Sequence, residues 1–242
     1  YIEKNKARAS TAKMAKSREK RLSKIDRLEK MPDATKPDFS FPYKEGGDTE
    51  ILNLENLCVG YNYPLLKPIN LKMRKEDKVV LVGFNGLGKS TLIKTILGLI
   101  PNLDGKVTMA SHVLTNYFEQ ELIWEDDNLT PIKYLEKKYP TKNNKEIRFV
   151  LARSALKSEH QMQSIKTLSG GEQAKIKMAE LMLKPSNFLI LDEPTNHLDE
   201  KAKMALKEAI TKYDGALLLV SHEQDFYKDL GVSVIDVTSY QK

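Results

Sequence analysis

Two short stretches of the sequence have residue types and spacings that could act on a phosphate chain. The first is GFNGLGKST, which begins at Gly83 and fits the pattern G-x-x-x-x-G-K-[ST]. Gly86 and Gly88 let the backbone turn tightly and bring its N–H groups close to phosphate oxygens. Lys89 adds a positive charge for the β- and γ-phosphates, and the Ser90 hydroxyl can bind Mg²⁺. The pattern predicts a nucleotide site of a kind that kinases, small GTPases, helicases and motors share.

The second stretch is FLILDEPTNHLD, in which an apolar run ends in two adjacent acids. Phe188–Leu191 is apolar on both faces, which is typical of an interior strand of a parallel sheet. Asp192 and Glu193 must then lie at the carboxyl end of the sheet, where ligands bind in open α/β folds. We expect Asp192, on a strand that neighbours the one before GFNGLGKST, to hold Mg²⁺ through water. Glu193 is expected to orient or deprotonate the attacking water. Helix capping, the structural alternative for these acids, fits Asp199 better.

A third stretch, TLSGGEQ, predicts a second anion site. Ser169, Gly170 and Gly171 lie directly before an amphipathic helix pattern, so the N–H groups of that helix terminus are open to a ligand. One nucleotide does not need two such sites in the same place. We therefore expect this stretch to act on a nucleotide held by another domain, although Ser169 could also be only a helix N-cap.

The elements that must position these residues alternate along the chain. Strand patterns at 78–83, 188–192 and 216–220 alternate with helix patterns at 89–100 and 200–213. This order predicts an α/β fold in which a mostly parallel sheet carries helices on its faces.

Composition limits the class of protein further. The chain has 242 residues, of which 40% are hydrophobic, enough for a full core. Its single cysteine, Cys58, excludes an internal disulfide framework and fits a reducing compartment. The longest apolar run, around Ala216–Val220, is far shorter than the roughly 20 residues of a membrane helix. We therefore expect a cytoplasmic protein with no membrane partner. Because the sequence does not begin with Met, we also expect it to be a piece of a longer chain.

The net charge of +6 is concentrated in the amino-terminal arm. Residues 1–36 hold 12 Lys and Arg against 5 Asp and Glu, whereas the remaining residues hold 27 against 28. Residues 1–30 lack Gly and Pro and predict a long basic helix. This helix could be a solvated or coiled-coil arm, or it could contact the phosphate backbone of a nucleic acid. The Pro and Gly residues within 31–50 predict an extended linker, so the main domain is expected to begin at Ile51.

Together, GFNGLGKST, LSGGEQ and LILDEPTNHLD resemble the motifs of ABC-type ATPase domains. Asn196 and His197 stand where transporter domains more often carry Ser and Ala, which makes DEPTNHLD similar to the ABC-F family of ribosome-associated ATPases. The resemblance implies a P-loop ABC ATP-binding domain over 51–242, with an antiparallel β subdomain and a helical insert at about 117–167. It also implies that this is the second ATPase domain of such a protein and that 1–30 is the end of the interdomain helical hairpin.

The resemblance assigns roles to individual residues. Tyr61 matches the aromatic residue that stacks on adenine, and Tyr63 is a less well-spaced candidate. Gln120 matches the residue that senses Mg²⁺ and the γ-phosphate, and His222 matches the switch histidine that contacts the γ-phosphate beside the catalytic Glu193. After His222 the sequence EQDF departs from the usual Asp-Arg-x-Phe, which puts a local charge contact in doubt. The residues expected to bind ATP are Tyr61, Asn85, Gly86, Gly88, Lys89, Ser90, Thr91, Gln120 and Asp192. Those expected to bind the metal are Ser90, Gln120 and Asp192.

In this family two ATPase domains close head to tail, so that each ATP lies between the P-loop of one and the signature loop of the other. The signature residues would then act on the ATP of a first ABC domain upstream, or of a second copy of this chain: Ser169, Gly170, Gly171 and Glu172. Asp199 would lie in the loop that communicates between the two domains.

The resemblance also implies a partner. An ABC-F protein is a translation factor, and the basic helix would face rRNA and tRNA on the ribosome through Lys13, Lys16, Arg18, Lys20 and Arg21. Positioning of peptidyl-tRNA from the tRNA exit site and antibiotic resistance by ribosome protection are the activities this implies. The alternatives are the ATPase subunit of an ABC transporter and an ATP-binding scaffold without turnover. The scaffold is disfavoured because Glu193 and His222 are both present.

Overall fold

The computed structural model describes residues 36–46 and 49–241, and the predicted basic helix at 1–30 lies outside them. In chain order, the strands of the described part are β1 (Glu50–Cys58), β2 (Ile69–Arg74), β3 (Lys78–Val82), β4 (Asp104–Met109), β5 (Thr115–Phe118), β6 (Phe188–Asp192), β7 (Ala216–Val220) and β8 (Ser233–Asp236). The helices are α1 (Lys89–Ile96), α2 (Pro131–Lys138), α3 (Asn144–Arg153), α4 (Gly170–Leu183), α5 (Glu200–Thr211) and α6 (Gln224–Tyr227). None of the helices in these residues is long and apolar enough to cross a bilayer.

Five strands form a parallel sheet in the order β5-β6-β7-β3-β8. Its central strands β6 and β7 are buried along their whole length, because apolar layers cover both faces. Leu189 and Leu191 face a core shared with α4, α5 and the helices of the insert, whereas Ile190 faces a core shared with α1 and β1. The predicted α/β fold is therefore confirmed.

One prediction about this sheet is wrong. Asp192 was expected on a strand neighbouring β3, but β7 pairs with both β3 and β6 and lies between them. Hydrophobic periodicity identifies a buried strand without specifying which edge of the sheet it joins. Asp192 nevertheless ends its strand at the same carboxyl edge as β3, because all the strands run parallel.

The smaller sheet is antiparallel, in the order β2-β1-β4. Its inward residues Leu52, Leu54 and Met73 are fully buried against the core that also holds α1. This is the antiparallel subdomain that the family resemblance implied.

The helical insert packs on α4. Thr130 caps α2, and Asn143 forms a capping box with Glu146 at the start of α3. The insert was predicted to begin at 117, but Tyr117 and Phe118 complete β5, where they pair with β6. The chain is polar and turn-rich only after that strand.

Residues 36–46, which we call the strap, lie within the predicted linker 31–50 and form no helix or strand of their own. Phe39 and Phe41 are buried in the main core, so the strap is packed rather than free. Near its end, Lys44 N–H donates to Ser186 O at 3.0 Å and Ser186 N–H donates to Pro42 O at 3.0 Å. The domain boundary at Ile51 stays a prediction, and the packing of the strap extends the core to its amino-terminal side.

Candidate functional site

The loop between β3 and α1 adopts the conformation that its glycines permit. Gly86 and Gly88 have φ values of 81° and 100°, a region that residues with a Cβ seldom adopt. Gly88 is the N-cap of α1 and has no capping side chain among the described residues, so the first N–H groups of the helix face the loop. Lys89 is buried and its Nζ donates to Gly83 O at 2.8 Å and Phe84 O at 2.9 Å. The loop glycines, the start of α1 and Lys89 therefore lie together in the structure.

A cleft of about 400 Å³ opens beside this loop. It brings together side chains that lie far apart in sequence, and its lining consists of Tyr61, Leu65, Asn85, Gly86, Gly88, Lys89, Ser90, Thr91, Gln120, Asp192 and Glu193. Ser90 Oγ donates to Gln120 Oε1 at 3.4 Å, which joins α1 to the segment after β5. Both tyrosines of the loop after β1 are exposed, but only Tyr61 lines the cleft, which favours it over Tyr63 as the adenine-stacking candidate.

Asp192 lies at the floor of the cleft with no exposed surface. Neither of its carboxylate oxygens has a hydrogen-bond partner among the described residues. Burial raises its pKa to about 6, and the charge of Glu193 adds to this, whereas Ser90, Lys89 and Lys94 act in the opposite direction. A buried carboxylate that lacks a partner is costly unless a cation uses it.

The oxygen donors around Asp192 fit Mg²⁺. The hydroxyl of Ser90 and the amide oxygen of Gln120 line the same cleft, and hard oxygen ligands are those that Mg²⁺ prefers. The described residues contain no group of three or more His, Cys, Asp and Glu that could hold a metal by themselves. A Mg²⁺ ion held here would thus share its coordination with nucleotide phosphates.

Replacing Asp192 with Asn is expected to stabilise the nucleotide-free protein by about 1–3 kcal/mol at pH 7. Because its pKa of about 6 lies above the ordinary 3.8, the folded protein binds an extra proton between these values. Stability therefore falls as the pH rises through this range, and the amide should remove that dependence. Thermal unfolding from pH 4 to 7 measures the effect, with the exposed Asp214→Asn as control. Equal or lower stability of Asp192→Asn at pH 7 would contradict it.

Glu193 adjoins Asp192 in an unusual backbone conformation. Its φ of 48° lies in the left-handed region, which costs a non-glycine residue free energy and is found mostly at functional sites. One oxygen, Oε2, lies 2.7 Å from Nδ1 of His222, and the other, Oε1, is buried without a partner among the described residues. Glu193 is thus oriented by a histidine, and its second oxygen is of the kind that can act as a general base.

The TLSGGEQ residues lie elsewhere. Ser169 caps α4, and its N–H and Oγ both donate to Glu172 Oε2, at 2.9 Å and 2.8 Å. The N-cap alternative is therefore locally correct. Gly170 and Gly171 lie against His197, and none of these residues lines the cleft. The sequence did not predict that Glu172 Oε1 also meets Nδ1 of His160, at 2.5 Å.

A second unpredicted group ties the segment after Gln120 to α4. Trp124 Nε1 donates to Gln173 Oε1 at 2.7 Å, and Lys177 Nζ lies 4.3 Å from the centroid of the indole ring. Lys177 Nζ also donates to Ile123 O at 3.0 Å, and burial lowers the pKa of this lysine. The segment that carries Gln120 is thereby fastened to the helix that Ser169 begins.

Comparison with known proteins decides the family. A family model described as ABC transporter matches residues 66–196, more than half of the chain. The chain belongs to the ABC transporter family. A second model with the same description matches residues 1–41. ATP-binding cassettes of this family are ATPases, so this chain contains an ATP-hydrolysing domain.

Several curated proteins resemble the cassette over almost its whole length. It is 42% identical over 240 residues to the uncharacterized ABC transporter ATP-binding protein YfmM of Bacillus subtilis, covering 99% of this chain and 46% of the relative. It is 35% identical to ABC transporter F family member 5 of Arabidopsis thaliana, covering 96% of this chain and 34% of the relative. It is 33% identical to Protein GCN20 of Saccharomyces cerevisiae, covering 98% of this chain and 31% of the relative. The cassette thus spans from about a third to about half the length of these relatives.

Solved structures confirm the fold. A putative ABC transporter ATP-binding protein from Pyrococcus furiosus matches with a TM-score of 0.66 at 23% identity, covering 79% of this chain and 99% of that chain. The ATP-binding cassette MJ0796, in a dimeric post-hydrolysis state bound to ADP and Pi, matches with a TM-score of 0.68 at 19% identity, covering 77% and 94%. At these identities the likeness extends to the fold alone.

Proposed function

We propose that this chain is one of two cassettes that hydrolyse ATP together in an ABC-F protein acting on the ribosome. The proposal that two cassettes act together rests on one observation, which is that the TLSGGEQ residues lie apart from the other two motifs. The cleft holds Lys89, Asp192 and Glu193, whereas Ser169 lies outside it at the start of α4. A complete site would need the TLSGGEQ residues of another cassette against this cleft.

The proposed mechanism assigns one task to each group. The loop N–H groups and Lys89 bind the β- and γ-phosphates, and Tyr61 stacks on the adenine. Ser90, Gln120 and Asp192 would hold Mg²⁺, which supplies neutralisation of the phosphate charge. Glu193 accepts a proton from the attacking water through Oε1, while His222 holds Oε2 and reaches the γ-phosphate. Ser169 and the α4 terminus would bind the γ-phosphate on the partner cassette.

The ABC-F assignment is supported by sequence. Asn196 and His197 match the ABC-F form of the DEPTNHLD motif, and curated relatives at 35% and 36% identity are named ABC transporter F family members. In this proposal, residues 51–242 form the second cassette and residues 1–30 the end of the linker that faces rRNA and tRNA. Action on the ribosome places the protein in the cytoplasm.

Sedimentation with ribosomes tests the proposal. The full-length protein should carry Glu193→Gln and the matching change in its other cassette, because removal of the base traps ATP without altering the phosphate contacts. We expect pelleting with ribosomes in ATP at least about tenfold above that in ADP. Equal absence of pelleting in both nucleotides, with ATP binding intact, would refute the ribosomal role.

The second candidate is the ATPase subunit of an ABC transporter. It is favoured by the description of the matched family and by the name of the relative YfmM, an ABC transporter ATP-binding protein. The full-length sequence separates the two candidates. A second P-loop and LSGGE motif upstream of residue 1 supports the ABC-F proposal, and their absence supports the transporter.

A further inference from the structure

The loop that carries His222 is held to α5 by an ion pair. This loop, residues 221–223, joins β7 to α6 and includes the first residue of EQDF, the segment that departs from the more usual Asp-Arg-x-Phe. Glu223 Oε2 lies 2.8 Å from Nζ of Lys203, in the first turns of α5. The contact spans 20 residues of sequence and fastens the loop to a helix that packs on the main core.

Both partners of this ion pair are largely shielded from water. The side chains of Lys203 and Glu223 are 22% and 28% exposed. The hydrogen bond with Glu223 raises the pKa of Lys203. Burial alone would raise the pKa of Glu223, but the hydrogen bond from Lys203 and the charges of Lys203 and His222 lower it. The pair is therefore ionised at neutral pH.

The ion pair holds Glu223, which follows His222, and the sheet holds Ser221, which precedes it. Ser221 is fully buried, its N–H donates to Leu81 O at 3.4 Å, and its Oγ accepts the N–H of Glu223 at 3.1 Å. The imidazole itself is half exposed, and its contact to Glu193 is the hydrogen bond at Nδ1. The direction of the ring thus depends on residues 221 and 223 on either side of it.

A second ion pair serves as an internal comparison. Lys207, one turn further along α5, lies 2.8 Å from Asp229 and joins the same helix to the segment after α6. Its side chain is 29% exposed, close to that of Lys203. Its partner Asp229 is 64% exposed against 28% for Glu223, so the second pair is more open to water, and only the first adjoins His222.

We propose that Lys203 and Glu223 are positioning residues that hold His222 against Glu193 for ATP hydrolysis. The inference depends on the proposed roles of these two groups. Neither residue lines the cleft, so the pair acts through the histidine. Its loss should therefore slow turnover and leave ATP binding in place, because a histidine displaced by about 1 Å loses its alignment with the reacting groups.

The first test compares Lys203→Ala with Lys207→Ala in the full-length protein. To isolate this cassette, both are made with the base of the other cassette replaced by Gln. We expect kcat of Lys203→Ala to fall about 5- to 20-fold, with KM for ATP within about twofold, and Lys207→Ala to stay within about twofold of the parent in both. Equal losses of kcat in the two variants, or unchanged kcat in Lys203→Ala, would overturn the proposal.

Charge reversal separates positioning from loss of fold. Lys203→Glu alone should lower kcat at least as much as Lys203→Ala, and addition of Glu223→Lys should restore kcat to within about threefold of the parent. Failure of the double variant to recover, with an unchanged melting temperature, would count against the pair. Glu193→Gln in the same full-length parent tests the proposed role of Glu193 separately. Full activity of that variant would refute the role of Glu193, and not the positioning role of the ion pair.

A third measurement needs no turnover. The ring ¹⁵N signals of His222, assigned by their loss in His222→Gln, report its hydrogen bond to Glu193. We expect these signals to shift in Lys203→Ala and to stay unchanged in Lys207→Ala. Identical His222 signals in the parent and in Lys203→Ala would overturn the proposal independently of any ATPase rate.

Discussion

Replacing Glu193 with Gln is expected to slow ATP hydrolysis at this site by about 10²- to 10³-fold and to leave ATP binding within about threefold. The amide has the size of the carboxylate, so the packing around it and the phosphate contacts should persist. It cannot accept a proton at Oε1, the oxygen that the structure leaves unpaired among the described residues. Phosphate release and equilibrium binding of a fluorescent ATP analogue measure the two quantities separately.

The exposed Glu208→Gln is the matched control, because Glu208 lies on α5 and pairs only with Lys212 among the described residues. It should keep the rate of the parent. A loss of less than about fivefold in Glu193→Gln would show that another group takes the proton, and His222 would then be the next candidate.

The isolated chain is expected to hydrolyse ATP at least about 100-fold more slowly than the full-length protein at submicromolar concentration. Its own TLSGGEQ residues, including Ser169, lie outside its cleft, so a lone copy lacks the donors on the far side of the γ-phosphate. If two copies of the chain pair to form the site, the ATPase rate should rise with the square of the chain concentration while most copies are still unpaired. Phosphate release measured over a dilution series gives this dependence.

Two variants of the isolated chain sharpen the result. Lys89→Ala loses the phosphate contact and Ser169→Arg blocks the helix terminus, so each should be inactive alone. When the two variants are mixed at high concentration, the cleft of Ser169→Arg and the helix terminus of Lys89→Ala can form one intact site. Activity should then return. Rapid turnover that does not depend on concentration would contradict the composite site.

The parts of the site that could be predicted from sequence are those encoded locally. The turn at Gly86 and Gly88 and the acids that end β6 depend on residue types within a few positions, and the structure brings Lys89, Asp192 and Glu193 into one cleft. Their functional roles remain predictions, whereas the parallel sheet that positions them is confirmed.

The remaining features depend on pairs of residues that are distant in sequence. The hydrophobic pattern identifies β7 as a buried strand, but it does not show that β7 lies between β3 and β6. The ion pair of Lys203 with Glu223 could not be predicted from the sequence either, because each residue alone resembles any other surface charge. The strap was predicted as a linker since Pro37 and Pro42 exclude regular structure, yet they do not prevent Phe39 and Phe41 from entering the core.

The strap also limits how far two parts of the cassette can separate. At one end, Asp38 N–H donates to Arg153 O at 2.8 Å and the Asp38 carboxylate meets the Arg153 guanidinium at 2.9 Å, at the end of α3. At the other end, Pro42 and Lys44 bond to Ser186, just before β6. The four residue-to-residue steps from Asp38 to Pro42 span at most about 14 Å when fully extended. The strap therefore sets an upper limit on how far the insert can swing away from the sheet before one anchor must detach.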